Sequence, residues 1–371
     1  ALRRVIKEKI PDGTYSFTDY LDSDGVTDNS YSVGLTLTKS AEHISLDFGS
    51  SGDQAKGAIN FKMHESVPAN MMGLLLTGDQ SGVEMNAGFS RAIDEVILRP
   101  GSIVDPIYPA PVGMRSHTMV RVTGTLLGAI GAATQGQMSA SSPVYVLYYL
   151  RSYDRLSGSY ELCIEGLGVG FGARNFSDGI DAVYFVAQKN YPVEFAEMEF
   201  GVRIEGYRIH EDSGGAGFFR GGTGVVRDVR VISDEAVLGL RLDNVRFPAW
   251  GANGGQAGGS GKAVINPGTS DERVLIPMSD QNGLVKGDLI RVMTSGGGGW
   301  GDPFTRPPEA VLGDVLDGFV SRDKARDAYG VVVTADGAIN TKATEREREQ
   351  SCSEPILVNQ GAAPISSRLN V

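Results

Sequence analysis

Along the first hundred residues apolar and polar positions alternate with period two, the spacing of a half-buried strand. Residues 31–37 (YSVGLTL) and 43–48 (HISLDF) carry the pattern clearly, with a polar turn between them, and Asp22–Ser23–Asp24–Gly25 is a further turn signal. Residues 6–15 read as the approach to a first strand. Two segments break the alternation. Residues 69–77 (ANMMGLLLT) predict a helix, and residues 119–133 predict a buried one, with Gly124, Gly128 and Gly131 admitting close neighbours. From 145 to 186 strand patterns alternate with glycine clusters. Further strands are expected over 199–210, 225–232, 236–242 and 287–294, and residues 251–261 form a glycine-rich loop.

After Pro303 the period changes. Val311, Leu312, Val315 and Leu316 have helical spacing, with Pro307 and Pro308 in the first turn and Gly318 at the end. Ser321 is placed to cap a second helix running to Tyr329, with Gly330 closing it. Residues 331–340 read as a small hairpin and residues 341–350 (TKATEREREQ) as a solvated charged tail. The pattern predicts a mixed α/β (α+β) fold, strand-rich, with glycine-rich loops and a small helical C-terminal lobe. Its expected divisions are a strand-rich core over 1–302, the helical lobe with its hairpin over 303–340, and a charged or irregular tail over 341–371.

Glycine changes this picture most: 50 of 371 residues, against roughly 7% in average proteins. No collagen-like period is present, and apolar residues lie between the glycines, so they belong to turns and close backbone approaches. The net charge of −11, with no Lys/Arg run, argues against a nucleic-acid binder. Cys163 and Cys352 stand alone, without a CxxC pair, and read as reduced thiols. No apolar run approaches membrane-spanning length and no signal peptide is visible, so a cytoplasmic protein is expected. Ala1 is an abrupt start, open to trimming, processing or a split gene.

Several motifs fall short of their chemistry. Residues 258–263 (GGSGKA) resemble a phosphate loop, but Gln256 and Ala263 stand where Gly and Ser or Thr are needed. Residues 168–173 (GVGFGA) fit GxGxxA but lead into a turn, not a helix. ATP chemistry, if any, must therefore be supplied by a partner chain. His43, His64, His117 and His210 are far apart in sequence, and His64 and His117 have the more pocket-like contexts. Residues 212–222 place one aspartate, Asp212, and one arginine, Arg220, among so many glycines that a tight buried turn is expected, close to a ligand or another chain.

The ordered series of these segments resembles the hydantoinase B/oxoprolinase family. Asp47–Phe48–Gly49–Ser50 with Ala58–Ile59–Asn60, Met85–Asn86–Ala87–Gly88–Phe89, Gly170–Phe171–Gly172–Ala173–Arg174 with Asp178–Gly179, and Tyr191–Pro192–Val193–Glu194 are similar to family segments. So are residues 212–224 (DSGGAGFFRGGTG), 296–303 (GGGGWGDP) and 310–333. The resemblance implies a subunit of an ATP-dependent cyclic amide or imide hydrolase of the hydantoinase, oxoprolinase or lactamase type. It leaves open a subunit of an ATP-dependent ketone carboxylase, or a non-catalytic scaffold of such a complex. It implies a hydantoinase A-like ATPase partner that carries ATP and Mg, and a hetero-oligomer. B-type members of the family start with a further N-terminal region holding a His-x-x-Asp motif and another His that bind a divalent metal. That motif is absent here, so the resemblance puts the metal (Zn or Mn) in a missing N-terminal region or on a partner chain, with a separate chain supplying that half.

If this chain contributes to an active site, the expected catalytic contributors are Asp47, Asn60, Asn86, Arg174 and Asp178, at the edge facing the missing region, with Asp212 and Arg220 as ligand-binding candidates. Asp47 would orient a metal-bound histidine of the partner. Asn60 and Asn86 would hydrogen-bond an amide. Arg174 would hold a phosphate or carboxylate in a two-pronged fork. All five are also ordinary turn formers.

Overall fold

The computed structural model describes residues 1–77, 86–154, 158–184, 189–349, 356–359 and 369–370; Met85, Val186, Gln350 and Cys352 lie outside the described residues. It is mixed α/β and divides into two compact units, residues 1–139 with 362–371, and residues 140–361. This boundary falls inside the stretch read from sequence as one core. No helix among the described residues is long and apolar enough to cross a membrane.

The first unit opens on α1 (Leu2–Lys9), where a strand approach was expected. Leu2, Val5 and Ile6 are buried and the charged residues face out, a helical period too short to stand out beside the strand that follows. Strands β1 (Gly13–Leu21), β2 (Tyr31–Ser40) and β3 (His43–Asp47) form an antiparallel meander. After α2 (Ser66–Thr77), β4 (Glu95–Ile97) joins β3 in parallel. Leu369–Asn370 pairs with β1 at the other edge. Helix α3 (Arg115–Ala133) packs on β1 and β2, and its Gly128 has no room for a side chain because the Phe17 ring lies against it. The loop between β1 and β2 is organised by one carboxylate. Asp24 accepts hydrogen bonds from the Val26, Thr27 and Gly57 amides and from the Thr27 and Tyr31 hydroxyls.

In the second unit, β5 (Val146–Asp154) and β6 (Ser159–Leu167) pair as a hairpin. Helix α4 (Val193–Glu199) leads to β7 (Val202–Ile209), β8 (Val225–Val231) and β9 (Glu235–Arg241). Then come β10 (Gly251–Ala252), β11 (Lys262–Ile265), β12 (Arg273–Val274), β13 (Met278–Val285) and β14 (Leu289–Met293). One sheet has the order β12-β11-β14-β8-β7 and another β13-β9-β5-β6, and both contribute to one apolar core that includes Val146, Leu150, Val229, Leu238 and Ile290.

The glycine clusters are neither turns nor ordinary strands. The segments around residues 170, 215, 222, 256 and 297 run extended across one another and exchange main-chain hydrogen bonds. Gly215 N–H donates to Gly297 O, Gly297 N–H to Gly222 O, and Gly222 N–H to Phe171 O, all at 2.8–2.9 Å. At each crossing a side chain would meet backbone. A Cβ on Gly215 would stand 2.6 Å from the Gly299 nitrogen, and one on Gly221 2.7 Å from the Gly297 carbonyl carbon. Neither glycine has the positive φ that a tight turn of the expected kind would give it. Close approach, not left-handed backbone, is what requires glycine here.

The two C-terminal helices form where their spacing and caps place them. Helix α5 (Pro308–Leu316) and α6 (Arg322–Tyr329) bury Val311, Ala325 and Tyr329 in a cluster that reaches Ala216 of the glycine stack. Ser321 accepts a hydrogen bond from Lys324 N–H, and Gly330 ends α6 at φ +63°. The expected hairpin is a single bridge between Val333 and Ile339. The tail departs from expectation. Thr341–Glu349 is a helix, α7, followed by the short strand β15 (Val358–Asn359), which pairs with β10. Buried Thr344 accepts from the Val332 amide, and Arg348 donates to the Tyr329 and Arg306 carbonyls. Charge density conceals these two attachments in the sequence.

Gly221→Ala is expected to destabilise the protein by about 3 kcal/mol, since backbone must move to admit a methyl group. Gly313→Ala, with nothing within 4 Å of its Cβ in α5, should stabilise by about 1 kcal/mol; urea melts check both. Asp24 has its carboxyl lowered to about 2: burial opposes ionisation, but hydrogen bonds from Thr27, Gly57, Tyr31 and Val26 outweigh it. Its folded value lies below the unfolded 3.8. Its contribution of about 2 kcal/mol is therefore present above pH 4 and lost as pH falls toward 2. Asp24→Asn should remove that part of the acid transition in a pH series of melts.

Candidate functional site

The second unit brings Asp178, Arg220 and their surroundings together at the junction of the glycine stack and the helical lobe. Residues 213–217 and Arg220 are buried, and Asp212, at φ +65°, precedes them. The expected burial is present, but the segment runs extended across its neighbours instead of closing a tight turn. Arg220 Nη1 donates to Asp181 Oδ1 at 3.0 Å and to Gly221 O at 2.8 Å, and its Nε donates to Asp314 Oδ1 at 3.2 Å. Its guanidinium lies 4.5 Å over the Phe319 ring. Asp181 also accepts from the Thr223 amide and hydroxyl.

A second arginine, Arg306, completes the group. Its two Nη atoms grip Asp178 at 2.7 and 2.8 Å, and Nη2 lies 2.9 Å from Asp314 Oδ2. Asp178 Oδ1 accepts in addition from the Arg220 amide at 2.7 Å. The arginines are about 5–6% exposed as side chains, whereas Asp178 is 36% exposed and forms the watery edge of the network. Burial works against charge on Arg220 and Arg306, but the facing carboxylates, Asp181 and Asp178 foremost, hold both guanidiniums more firmly protonated than usual. Burial raises the Asp314 carboxyl, and the two arginines only partly offset it. Two cations among three carboxylates leave one anion in excess, and the most enclosed carboxyl bears that cost.

Lys324 of α6 donates to the Asp212 and Gly214 carbonyls at 2.6 and 2.9 Å, and the Asp212 carboxylate accepts from the Ser321 amide. Burial lowers the Lys324 ammonium. Asp212 and Arg220 thus face the helical lobe and fasten it to the glycine stack. Arg174 stands apart from this network. It is half-buried, stacks 5.2 Å over the Phe176 ring, and has no carboxylate partner among the described residues.

The remaining candidates lie in the first unit and do not form one cluster. Asp47 closes β3 and accepts from the Gly49 amide at 2.7 Å. Asn86 is exposed and makes the equivalent turn with the Gly88 amide at 2.8 Å. Asn60 is fully buried. Its Oδ1 accepts from Ala55 N–H and its Nδ2 donates to the Ala55, Gly57 and Pro111 carbonyls. Both ends of that amide are engaged with main chain, so Asn60 is a brace of the loop rather than a group facing a substrate. Sequence reasoning missed Asp181, Arg306 and Asp314. Asp181 and Arg306 adjoin quoted segments, and Asp314 lies within the quoted segment 310–333 without having been singled out there.

The histidines do not converge. His64 is exposed and bonded through Nδ1 to Ser66, His117 is buried in α3, His43 lies 3.5 Å from Asp94, and His210 Nδ1 is 2.8 Å from Thr294 O. Among the described residues no group of three His, Cys, Asp or Glu is arranged to hold a metal ion. The divalent metal implied by the resemblance therefore finds no fitting ligand set among them. The phosphate-loop-like Lys262 begins β11 and is exposed, with no helix behind it.

Arg306→Ala should cost about 3 kcal/mol in urea unfolding, because Asp178 and Asp314 lose their shared cation. Arg306→Lys should recover part of that loss, since charge returns without the planar fork.

Against known proteins, the description Hydantoinase B/oxoprolinase matches residues 1–303. The B component of a D-/L-hydantoinase from Pseudomonas sp. (strain NS671) is 29% identical over 94% of this chain and 60% of its own length. The beta component of the caprolactamase from Pseudomonas jessenii is 27% identical over 93% of this chain and 61% of its own. The chain thus spans about 60% of these curated relatives. The crystal structure of ATP-dependent caprolactamase from Pseudomonas jessenii superposes with a TM-score of 0.80 at 24% identity, covering 94% of this chain and 62% of that one. Nucleotide-free acetone carboxylase superposes with a TM-score of 0.77 at 19% identity, covering 94% and 54%. At these identities the two structures share the fold, while the family description covers most of the sequence: the chain belongs to the hydantoinase B/oxoprolinase family.

Proposed function

We propose that this chain is part of a subunit of an ATP-dependent hydrolase of cyclic amides or imides, acting in a hetero-oligomer with an ATPase partner. The observation that carries this reading is that the B component of a hydantoinase and the beta component of a caprolactamase each match more than nine-tenths of the chain. Both names refer to ring amides. The ketone carboxylase reading rests on fold likeness alone and takes second place. The near-miss at residues 258–263 fits the same reading, in which ATP and Mg are held by the partner. A divalent metal, Zn or Mn, then belongs to polypeptide beyond these residues.

Ring amides resist attack because their carbonyl is resonance-stabilised; phosphorylation of the amide oxygen would relieve that stabilisation, after which a positioned water would attack the carbon and phosphate would leave. The contribution proposed for this chain is positioning. Arg174 is the group proposed for this: a planar cation beside the Phe176 ring, whose guanidinium donors suit a carboxylate or phosphoryl oxygen. Asp178 and Asp181, themselves fixed by Arg306 and Arg220, would add negative charge that repels misplaced anions. Asp47 and Asn86, each presenting a carbonyl-type oxygen from a fixed turn, are the first-unit candidates for contacts to a substrate or to a metal-bound group.

The test uses the full-length protein co-purified with its ATPase partner, with phosphate release measured against hydantoin, 5-oxoproline, a lactam, and acetone with bicarbonate. Ring-dependent ATP turnover is expected; turnover with the ketone alone overturns the hydrolase reading. Arg174→Ala should lower turnover roughly 10- to 100-fold while shifting stability by no more than about 0.5 kcal/mol. Equal activity in that variant removes Arg174 from the site.

A further inference from the structure

The tail beyond Asn340 is attached to both members of the join that the ionic network spans. On the lobe side, Arg348 of α7 donates through Nε to the Tyr329 carbonyl at 3.2 Å and through Nη2 to the Arg306 carbonyl at 2.7 Å. The Thr344 hydroxyl accepts from the Val332 amide at 3.1 Å. On the stack side, residues 356–359 lie along Gly251–Gly254. The Asn253 and Gly254 amides donate to the Leu357 and Ile356 carbonyls, each at 2.9 Å, and Val358 pairs with Ala252 of β10. Ala252 belongs to the stack, its amide donating to the Gly299 carbonyl at 2.9 Å.

Prolines weaken the local ladder at the lobe-side contact. Arg306 is followed by Pro307 and Pro308, which have no amide hydrogen to donate. The main chain of Arg306 is held by its own amide, which donates to the Pro303 carbonyl at 3.2 Å, and by Arg348 at its carbonyl. The side chain of the same residue grips Asp178 at 2.7 and 2.8 Å, and Asp178 accepts from the Arg220 amide. The Gly179 amide in turn donates to the Arg220 carbonyl at 2.7 Å. A continuous path of contacts therefore leads from Arg348 through Arg306 and Asp178 to Arg220. We propose that α7 and residues 356–359 are a strap that holds the helical lobe on the glycine stack and sets how firmly Arg306 holds Asp178. Releasing either attachment loosens the Asp178 segment. The inference does not depend on the hydrolase reading.

Hydrogen–deuterium exchange on the full chain tests it, read at the Gly179 and Arg220 amides. Arg348→Ala removes the lobe-side attachment, and deletion of residues 356–359 removes the stack-side one. Each change should speed exchange at both amides about tenfold, the effect of losing one well-made hydrogen bond. Arg348→Lys, which keeps the charge without the planar fork, should give a smaller rise. The Val229 amide in the middle of β8 serves as the control and should not change. Faster exchange confined to the attachment points, at residues 251–254 and 329–349, overturns the inference, because the attachments then do not reach Asp178. No rise with either change overturns it as well. So does a rise that includes Val229, since that reports general loosening of the unit rather than release of a strap.

Discussion

Main chain packed directly on main chain is the constraint from which the rest of the second unit follows. Five segments cross where only hydrogen atoms can stand between backbones, and N–H groups such as those of Gly215, Gly222 and Gly297 are satisfied by carbonyls of neighbouring segments rather than by a regular ladder. Such a stack buries almost no apolar side chain and forgoes the conformational entropy that glycine carries in the unfolded chain. It needs support from elsewhere. The two sheets and their shared apolar core supply it on one side, and the C-terminal helices supply it on another.

The ionic network is the join between the stack and the helical lobe. Arg220 comes from the stack, Arg306 from the turn before α5, Asp314 from α5 itself, and Asp178 and Asp181 from the loop after Gly172. Replacing such a group by well-packed apolar residues is often neutral or stabilising in other proteins, so its presence here is not explained by stability alone. What planar guanidiniums add is direction: each has several donors in a fixed geometry and can hold separate chain segments in one register. The consequence is that Asp178 and Asp181 are held in fixed positions beside the glycine stack.

Parts of this were legible in advance. The strands β2 and β3, the buried α3, and the caps of α6 at Ser321 and Gly330 follow from period and from side-chain chemistry that acts within a few residues. Other parts were not. The helix at residues 2–9 was hidden by brevity, and the helix at 341–349 by a run of charges whose anchoring groups, Thr344 and Arg348, find their partners only in space. Asn60 resembled a polar candidate beside a glycine, yet its amide is enclosed by the Ala55, Gly57 and Pro111 carbonyls, the last of them 51 positions along the chain.

Local physics accounts for the division. Amphipathic period, capping residues and the abundance of glycine are properties of neighbouring positions, and they determined the element types, the mixed class and the family resemblance. Whether a glycine is needed for its φ or for the space above it depends on which backbone lies opposite, and the sequence does not contain that distance. The same holds for charge. Asp178, Asp181, Arg220, Arg306 and Asp314 are five ordinary polar positions along the chain. Only the crossing of the glycine segments against α5 makes them one group, since an ion pair is set by separation in space and by the exclusion of water, and both belong to the tertiary structure.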